Sequence, residues 1–278
     1  MGGGSYSYDS RNTRAKTSGF FSNDLKETFT ERKINEKMNP KDIGIREARD
    51  SKEHPNSVPI VLALDVTGSM LDIPEYLVKD GLPNTMKNII ERGIKDPQVL
   101  FLGIGDHIYD QAPLQVGQFE SSDELLDKWL TSLYLEGCGG GNEGESYFLA
   151  WYLASFHTVT DSFEKRNKKG FLFTIGDEPV LNKITSKYLK HLMGKGEFRD
   201  YTAFELLNKA KETYNVYHLH IKEGAHGDEQ DVINGWKEII GENLIIVENK
   251  EDVSKIIADI VTKNNKHIND DKYSGTIL

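Results

Sequence analysis

Three oxygen-bearing side chains recur at alternate positions in Asp65-Val66-Thr67-Gly68-Ser69-Met70. One carboxylate and two hydroxyls are hard donors, the kind that Mg²⁺, Mn²⁺ and Ca²⁺ take in preference to the softer ligands of Zn²⁺. Gly68 permits the tight turn that would aim all three at one point. The same residue types also cap helices, so the run alone leaves two readings, a cation loop and a helix cap. A second cluster, Gly139-Gly140-Gly141-Asn142-Glu143-Gly144-Glu145-Ser146, brings Asn142 and Glu145 as oxygen donors. Glu145 also suits a helix's first turn, where its charge would complement the dipole. A third, Thr174-Ile175-Gly176-Asp177-Glu178-Pro179, offers Asp177, with Glu178 as a competitor and Thr174 as a secondary donor.

Apolar runs sit where such loops need supports. Residues 58–64 (VPIVLAL) read as a buried parallel strand that ends just before Asp65, and 170–175 (GFLFTI) as another that leads to Asp177. The glycine cluster precedes a strongly apolar helix expected over 145–156. Further strands are expected at 99–104, 114–119, 216–221 and 244–247. Helices are expected at 73–92, interrupted near Gly81-Leu82-Pro83, and at 123–134 with Ser122 as N-cap. Others follow at 181–192, 203–214, 231–240 and 253–262. Strands alternating with helices predict an α/β fold, a doubly wound and mostly parallel sheet with helices on both faces. Ligands of such sheets lie beyond the carboxyl ends of the strands, where Asp65 and Asp177 fall. Residues 1–57 form a polar extension, partly ordered or disordered, with short helices expected at 25–29 and 43–48. The domain spans 58–263, and 264–278 is a polar tail.

Charge narrows the partners. The 278 residues include 34 basic and 44 acidic side chains, a formal charge of −10, which argues against a nucleic-acid backbone as ligand. The basic pairs Lys165-Arg166 and Lys168-Lys169 read as a solvated turn before a strand. No apolar run is long enough to span a bilayer, and the start of the chain lacks a secretory pattern. Cys138, the single cysteine, leaves no intrachain disulfide, so a cytoplasmic setting is expected. Cys138 has no neighbouring histidine in sequence to make it a nucleophile. Gly105-Asp106-His107 and Asp110 read mainly as a capped polar turn. His218 and His220 alternate on one strand face and read as packed histidines rather than ligands. A transition-metal role for this pair with His226 and Asp228 is the lesser reading.

Asp-x-Thr-x-Ser between an apolar strand and a helix resembles the metal-ion-dependent adhesion site of the von Willebrand factor A family, over roughly residues 58–263. The resemblance implies that Thr67 and Ser69 ligate directly and that Asp65 acts mainly through water or hydroxyls. Asn142 stands where the family usually has Thr. Integrin β subunits show a similar acidic spacing in this loop, which implies Glu145 as the alternative ligand. Asp177 matches the third loop. The implied cofactor is Mg²⁺, with Mn²⁺ or Ca²⁺ as alternatives, and the implied partner is a protein whose acidic side chain completes the coordination. Intracellular members often serve large assemblies or ring-shaped ATPases, and the long extension resembles bacterial and bacteriophage proteins with this domain, a virion component included. The chain is therefore expected to be a binding module and not an enzyme, with a structural or assembly role as the alternative. A haloacid-dehalogenase-type phosphatase would need a second Asp where Thr67 stands.

Overall fold

The computed structural model describes residues 4–136 and 144–270. The chain opens with helices α1 (Tyr8–Thr17) and α2 (Leu25–Thr28) and a short strand, β1 (Arg46–Ala48). Next come β2 (Val58–Asp65), α3 (Ile73–Tyr76), α4 (Leu82–Glu91), β3 (Pro97–Ile104), β4 (Leu114–Val116), α5 (Asp123–Thr131) and α6 (Phe148–Phe156). They are followed by β5 (Thr158–Thr160), α7 (Asp161–Arg166), β6 (Gly170–Gly176), β7 (Lys183–Ile184), α8 (Ser186–Met193), β8 (Tyr201–Thr202) and α9 (Ala203–Thr213). Strand β9 (Tyr214–Ile221), α10 (Gln230–Ile240), β10 (Leu244–Val247) and α11 (Val253–Asp270) complete the series.

The central sheet runs β10-β9-β6-β2-β3-β4, parallel except for β4, which pairs antiparallel with β3. This is the doubly wound α/β architecture expected from the alternating pattern. The chain moves outward from β2 through β3 and β4, then returns to β6 on the other side of β2. Strand order therefore reverses between β2 and β6, where such sheets open a crevice at their carboxyl ends. Successive β2 residues face opposite cores. Val61 and Ala63 pack with Trp151, Leu206 and Trp236 on one face, whereas Ile60, Leu62 and Leu64 pack with Leu82, Met86 and Ile257 on the other. Burial on both faces explains why β2 is apolar throughout rather than alternating.

The interruption expected near Gly81-Leu82-Pro83 is a widened turn, not a break. Residues Leu77–Gly81 form a π-helical turn that joins α3 to α4. Pro83 has no N–H to offer the carbonyl four residues earlier, that of Lys79, so this oxygen needs another donor. Arg11 of α1 supplies it: its Nη1 donates to Lys79 O at 2.8 Å and its Nη2 to Val78 O at 3.2 Å. Its Nε donates to Asp127 of α5 at 3.1 Å, and Arg11 is only 1% exposed. Arg14 adds ion pairs to Asp123 and Asp127, both at 2.7 Å. In this way α1 is fastened to α4 and α5.

Local expectations shift in three further places. Residues 46–48, inside the helix expected at 43–48, form β1, because pairing in parallel with β5 satisfies their backbone. The helix expected from Glu145 starts at Phe148, since Glu145 is held in a parallel bridge to Val180. The helix expected from 181 starts at Ser186, N-capped by Thr185, after Lys183–Ile184 pair with β8. Among the described residues no helix is long and apolar enough to cross a membrane.

Candidate functional site

Asp65 closes β2, with Ile104 of β3 as its register partner, and neighbouring Leu64 pairs with Ile175 of β6. The loops after all three strands therefore meet above one point of the sheet. The Thr67 backbone N–H and hydroxyl both donate to Asp65 Oδ1, at 2.9 and 2.6 Å. Thr67 Oγ1 lies 3.1 Å from Ser69 Oγ, and the Ser69 hydroxyl donates to Asp177 Oδ1 at 3.0 Å. Asp65, Thr67, Ser69 and Asp177 thus form one continuous chain of oxygens, with both carboxylates fully buried and Thr67 nearly so. An octahedron with metal–oxygen distances of 2.0–2.1 Å has edges of about 2.9 Å. The spacings here, 2.6–3.1 Å, are close to that edge.

Two groups complete the setting: Tyr147, which the sequence reading did not single out, and the His226 turn, which it weighed only for a transition metal. The Tyr147 hydroxyl donates to Asp65 Oδ2 at 2.6 Å. Gly176 makes room for it, since a Cβ there would meet the Tyr147 oxygen at 1.9 Å. The turn after β9 forms a fourth loop: the His226 N–H donates to Asp177 Oδ2 at 2.9 Å and the Ala225 N–H to Ser69 O at 3.0 Å. Gly224 lies against Asp177, where a Cβ would come within 2.5 Å of the carboxylate. His220 anchors this turn through Nε2 to Gly227 O at 2.9 Å. His218 stacks on Trp236 with ring centroids 3.5 Å apart, and its Nδ1 is 2.9 Å from Thr174 Oγ1. The two histidines therefore pack and brace, and Thr174 turns to His218 instead of the cluster.

Burial pushes the Asp65 carboxyl up to about 7; the Thr67 and Tyr147 hydrogen bonds pull it down, and the charge of Asp177 adds to the rise. Glu145 is pushed up to about 11 by burial, then by the charges of Asp65 and Glu178. It is 3% exposed, and its Oε2 has no hydrogen-bond partner among the described residues. Glu178 is also raised, by burial and then by Asp177. Asp106 caps its own turn: Oδ1 accepts the Ile108 N–H at 3.0 Å, while Oδ2 is buried with no hydrogen-bond partner among the described residues. Asp110 accepts the Asp106 N–H at 2.7 Å. Asn142 and Cys138 lie outside the described residues.

Among the described residues no three His, Cys, Asp or Glu side chains form a metal-holding group. The convergence is instead of two carboxylates with two hydroxyls. That donor set, beside the buried unpartnered oxygen of Glu145, fits a hard divalent cation, whose charge would offset the crowded acids.

No family model matches the chain, and no similar curated protein was found. Among solved structures it is similar to the pilus adhesin SpaC from Lactobacillus rhamnosus GG in its open conformation. The TM-score is 0.52 at 14% identity, over 78% of this chain and 31% of that one. The chain thus spans about a third of that adhesin. It is also similar to the vWF domain of the type V pili tip protein Mfa5 from Porphyromonas gingivalis, with TM-score 0.50 at 10% identity, over 76% of this chain and 96% of that one. At these identities the likeness concerns the fold alone. This chain has a von Willebrand factor A-like fold.

Proposed function

We propose that this chain is an interaction or assembly component that binds a protein partner at the carboxyl edge of its sheet. The observation that carries this reading is the Asp65–Thr67–Ser69–Asp177 chain at the β2/β6 reversal, where α/β sheets place their ligands. Exposed Leu71, Ile108 and Tyr109 stand on the loops after β2 and β3, and solvent-facing apolar side chains of this size favour a protein partner. Leu71 also has a positive φ of 50°, a conformation costly for a leucine and found at functional turns. A binding role agrees with the names of the two similar proteins, an adhesin and a pilus tip protein. The reading assigns the chain no catalytic step. Its single cysteine supports a cytoplasmic setting, and the long polar extension suits a component of a larger assembly.

The oxygen cluster favours a cation-assisted form of the same reading. Asp65, Thr67, Ser69 and Asp177 would hold Mg²⁺, with Asn142 or Glu145 as the further ligand. A bound divalent cation would supply an electrophilic position for a partner's carboxylate. Affinity capture with the native protein, repeated with EDTA and with Asp65→Ala, separates the two forms. Retention of the partner under all three conditions leaves a cation-independent assembly role. Loss with EDTA and with Asp65→Ala, restored to the native protein by Mg²⁺, establishes the cation-assisted form. Turnover of a phosphate ester that Asp65→Asn abolishes would overturn both.

A further inference from the structure

A hollow of about 350 Å³ opens beside the acidic cluster. Three separate stretches build it: Ile34 and Asn39–Lys41 of the extension, His107, Ile108 and Asp110–Pro113 of the β3–β4 connection, and Ile184 with α8. Its size falls in the range of pockets that take a specific side chain or small ligand. Its walls are mixed: Ile34, Ile108, Ile184 and Leu192 are apolar, and Tyr188 presents an aromatic ring that is 39% exposed. His107 ties the hollow to the cluster. Its backbone N–H donates to Ser146 Oγ at 2.9 Å, and its Nδ1 lies 2.7 Å from the same oxygen, one residue beyond Glu145. Its ring meets Tyr188 edge-on at 5.0 Å and Phe148 of the core at 5.5 Å. Asp110 lines the hollow and also acts electrostatically on Glu145. Lys41 stands exposed on the same lining, a basic group beside an otherwise acidic edge.

We propose that this hollow is the specificity subsite of the partner-binding edge, taking a bulky apolar side chain from a partner segment whose neighbouring residue is acidic. The inference rests on the reading that this edge binds a protein. An aliphatic side chain seated among Ile108, Ile184 and Tyr188 would be desolvated in the manner of an interface anchor. The acidic neighbour follows from Lys41 at the mouth together with the cation that the edge would hold, since Asp110 on the same lining offsets Lys41. Lys41 attracts a carboxylate at the mouth, and a cation held at Asp65 and Asp177 would attract it further in. The subsite also gives the extension a part in recognition, because Ile34 and Lys41 belong to it.

The test uses the full chain with isoleucine δ1-methyl groups labelled for NMR. Ile108 and Ile184 report the hollow, and Ile104 and Ile175 report the acidic cluster. The probes are N-acetyl-leucyl-aspartyl amide, its leucyl-lysyl counterpart and N-acetyl-aspartyl amide, each with Mg²⁺ and with EDTA. The expected result is a saturable shift of Ile108 and Ile184 with the leucyl-aspartyl probe. Binding should weaken roughly five- to tenfold in Tyr188→Ala and with the leucyl-lysyl probe. The Tyr188→Ala spectrum elsewhere should match the native one, which separates loss of the pocket from loss of the fold. Ile108 and Ile184 left unmoved by both leucyl probes, while Ile104 and Ile175 answer Mg²⁺ and aspartyl amide, overturns the subsite and leaves the binding edge standing. Shifts of Ile108 and Ile184 that favour aspartate equally in EDTA and in Mg²⁺ support the subsite and count against cation assistance alone. Equal binding of the lysyl and aspartyl probes overturns the acidic-neighbour half of the proposal.

Discussion

Replacing Glu145 with Gln removes an ionisable proton and leaves the side chain's size unchanged. In the folded, cation-free protein this carboxyl is pushed up to about 11, whereas an ordinary Glu titrates at 4.5. The folded state therefore keeps a proton that the unfolded state loses once the pH passes 4.5, so the group weakens the fold as pH rises through that window. At pH 7 the penalty is roughly 3 kcal/mol, from 2.5 pH units at about 1.4 kcal/mol each. Any folded-state value well above 7 gives the same figure, so the size of the perturbation at pH 7 does not depend on its upper end. Glu145→Gln carries no such penalty. In EDTA it should be more stable than the native protein by roughly 3 kcal/mol at pH 7 and by less than about 1 kcal/mol at pH 5. Urea unfolding at the two pH values measures both differences. With Mg²⁺ the order should narrow or reverse, because a cation near Glu145 favours the ionised acid and gains less from an amide. Equal stability of the two proteins at pH 7 in EDTA would refute the reasoning, since it would mean that the carboxylate is solvated or paired.

Asp65 makes the cation response pH-dependent. Its folded-state value of about 7 means that cation binding below that pH must expel a proton, so the Mg²⁺-induced rise in Tm should be larger at pH 8 than at pH 6 and absent in Asp65→Ala. Calorimetry in buffers of different ionisation enthalpy should detect the released proton at pH 6. Gly224→Ala drives a methyl group to within 2.5 Å of Asp177, so the fourth loop must shift; a loss of about 1–3 kcal/mol in urea unfolding and a smaller Mg²⁺ response are expected. Arg11→Ala strands the carbonyls of Val78 and Lys79 and leaves Asp127 paired with Arg14 alone. It should cost about 2–4 kcal/mol by urea unfolding, and limited proteolysis should then cut within the first 30 residues.

The strands that carry the site were legible because each is buried on both faces and so reads as an uninterrupted apolar run. Asp65 and Asp177 are 112 residues apart, yet both follow such runs, and a parallel sheet brings the ends of neighbouring strands together. Thr67 and Ser69 came with Asp65 through local spacing. Tyr147 was not legible, because it opens a strongly apolar stretch in which an aromatic residue reads as core; only its phenol, needing an acceptor when buried, hinted otherwise. The His226 turn was weighed only for a transition metal, and its backbone role was missed for a different reason. It acts through backbone N–H groups, which any residue supplies, and its signal was only a glycine pair, Gly224 and Gly227, just beyond a strand's carboxyl end. The helix expected at 43–48 failed because six residues are too few for a decisive periodic pattern, and pairing of 46–48 with β5 decided the outcome. Pro83 marked the right place in the α3–α4 run, but a proline signals a disturbed helix without saying that the turn will widen instead of breaking.

The Arg11 latch also bears on how the chain matures. Its acceptors at Val78, Lys79 and Asp127 lie 67, 68 and 116 residues further along. During synthesis α1 therefore emerges long before anything exists to receive it. At usual elongation rates the interval to Asp127 is roughly 6–25 s. A ten-residue, largely polar helix is marginal on its own, so α1 would remain unformed through that time and close late. A nascent chain interrupted between residues 79 and 127 would hold the carbonyl acceptors of the latch but lack the carboxylate that completes it.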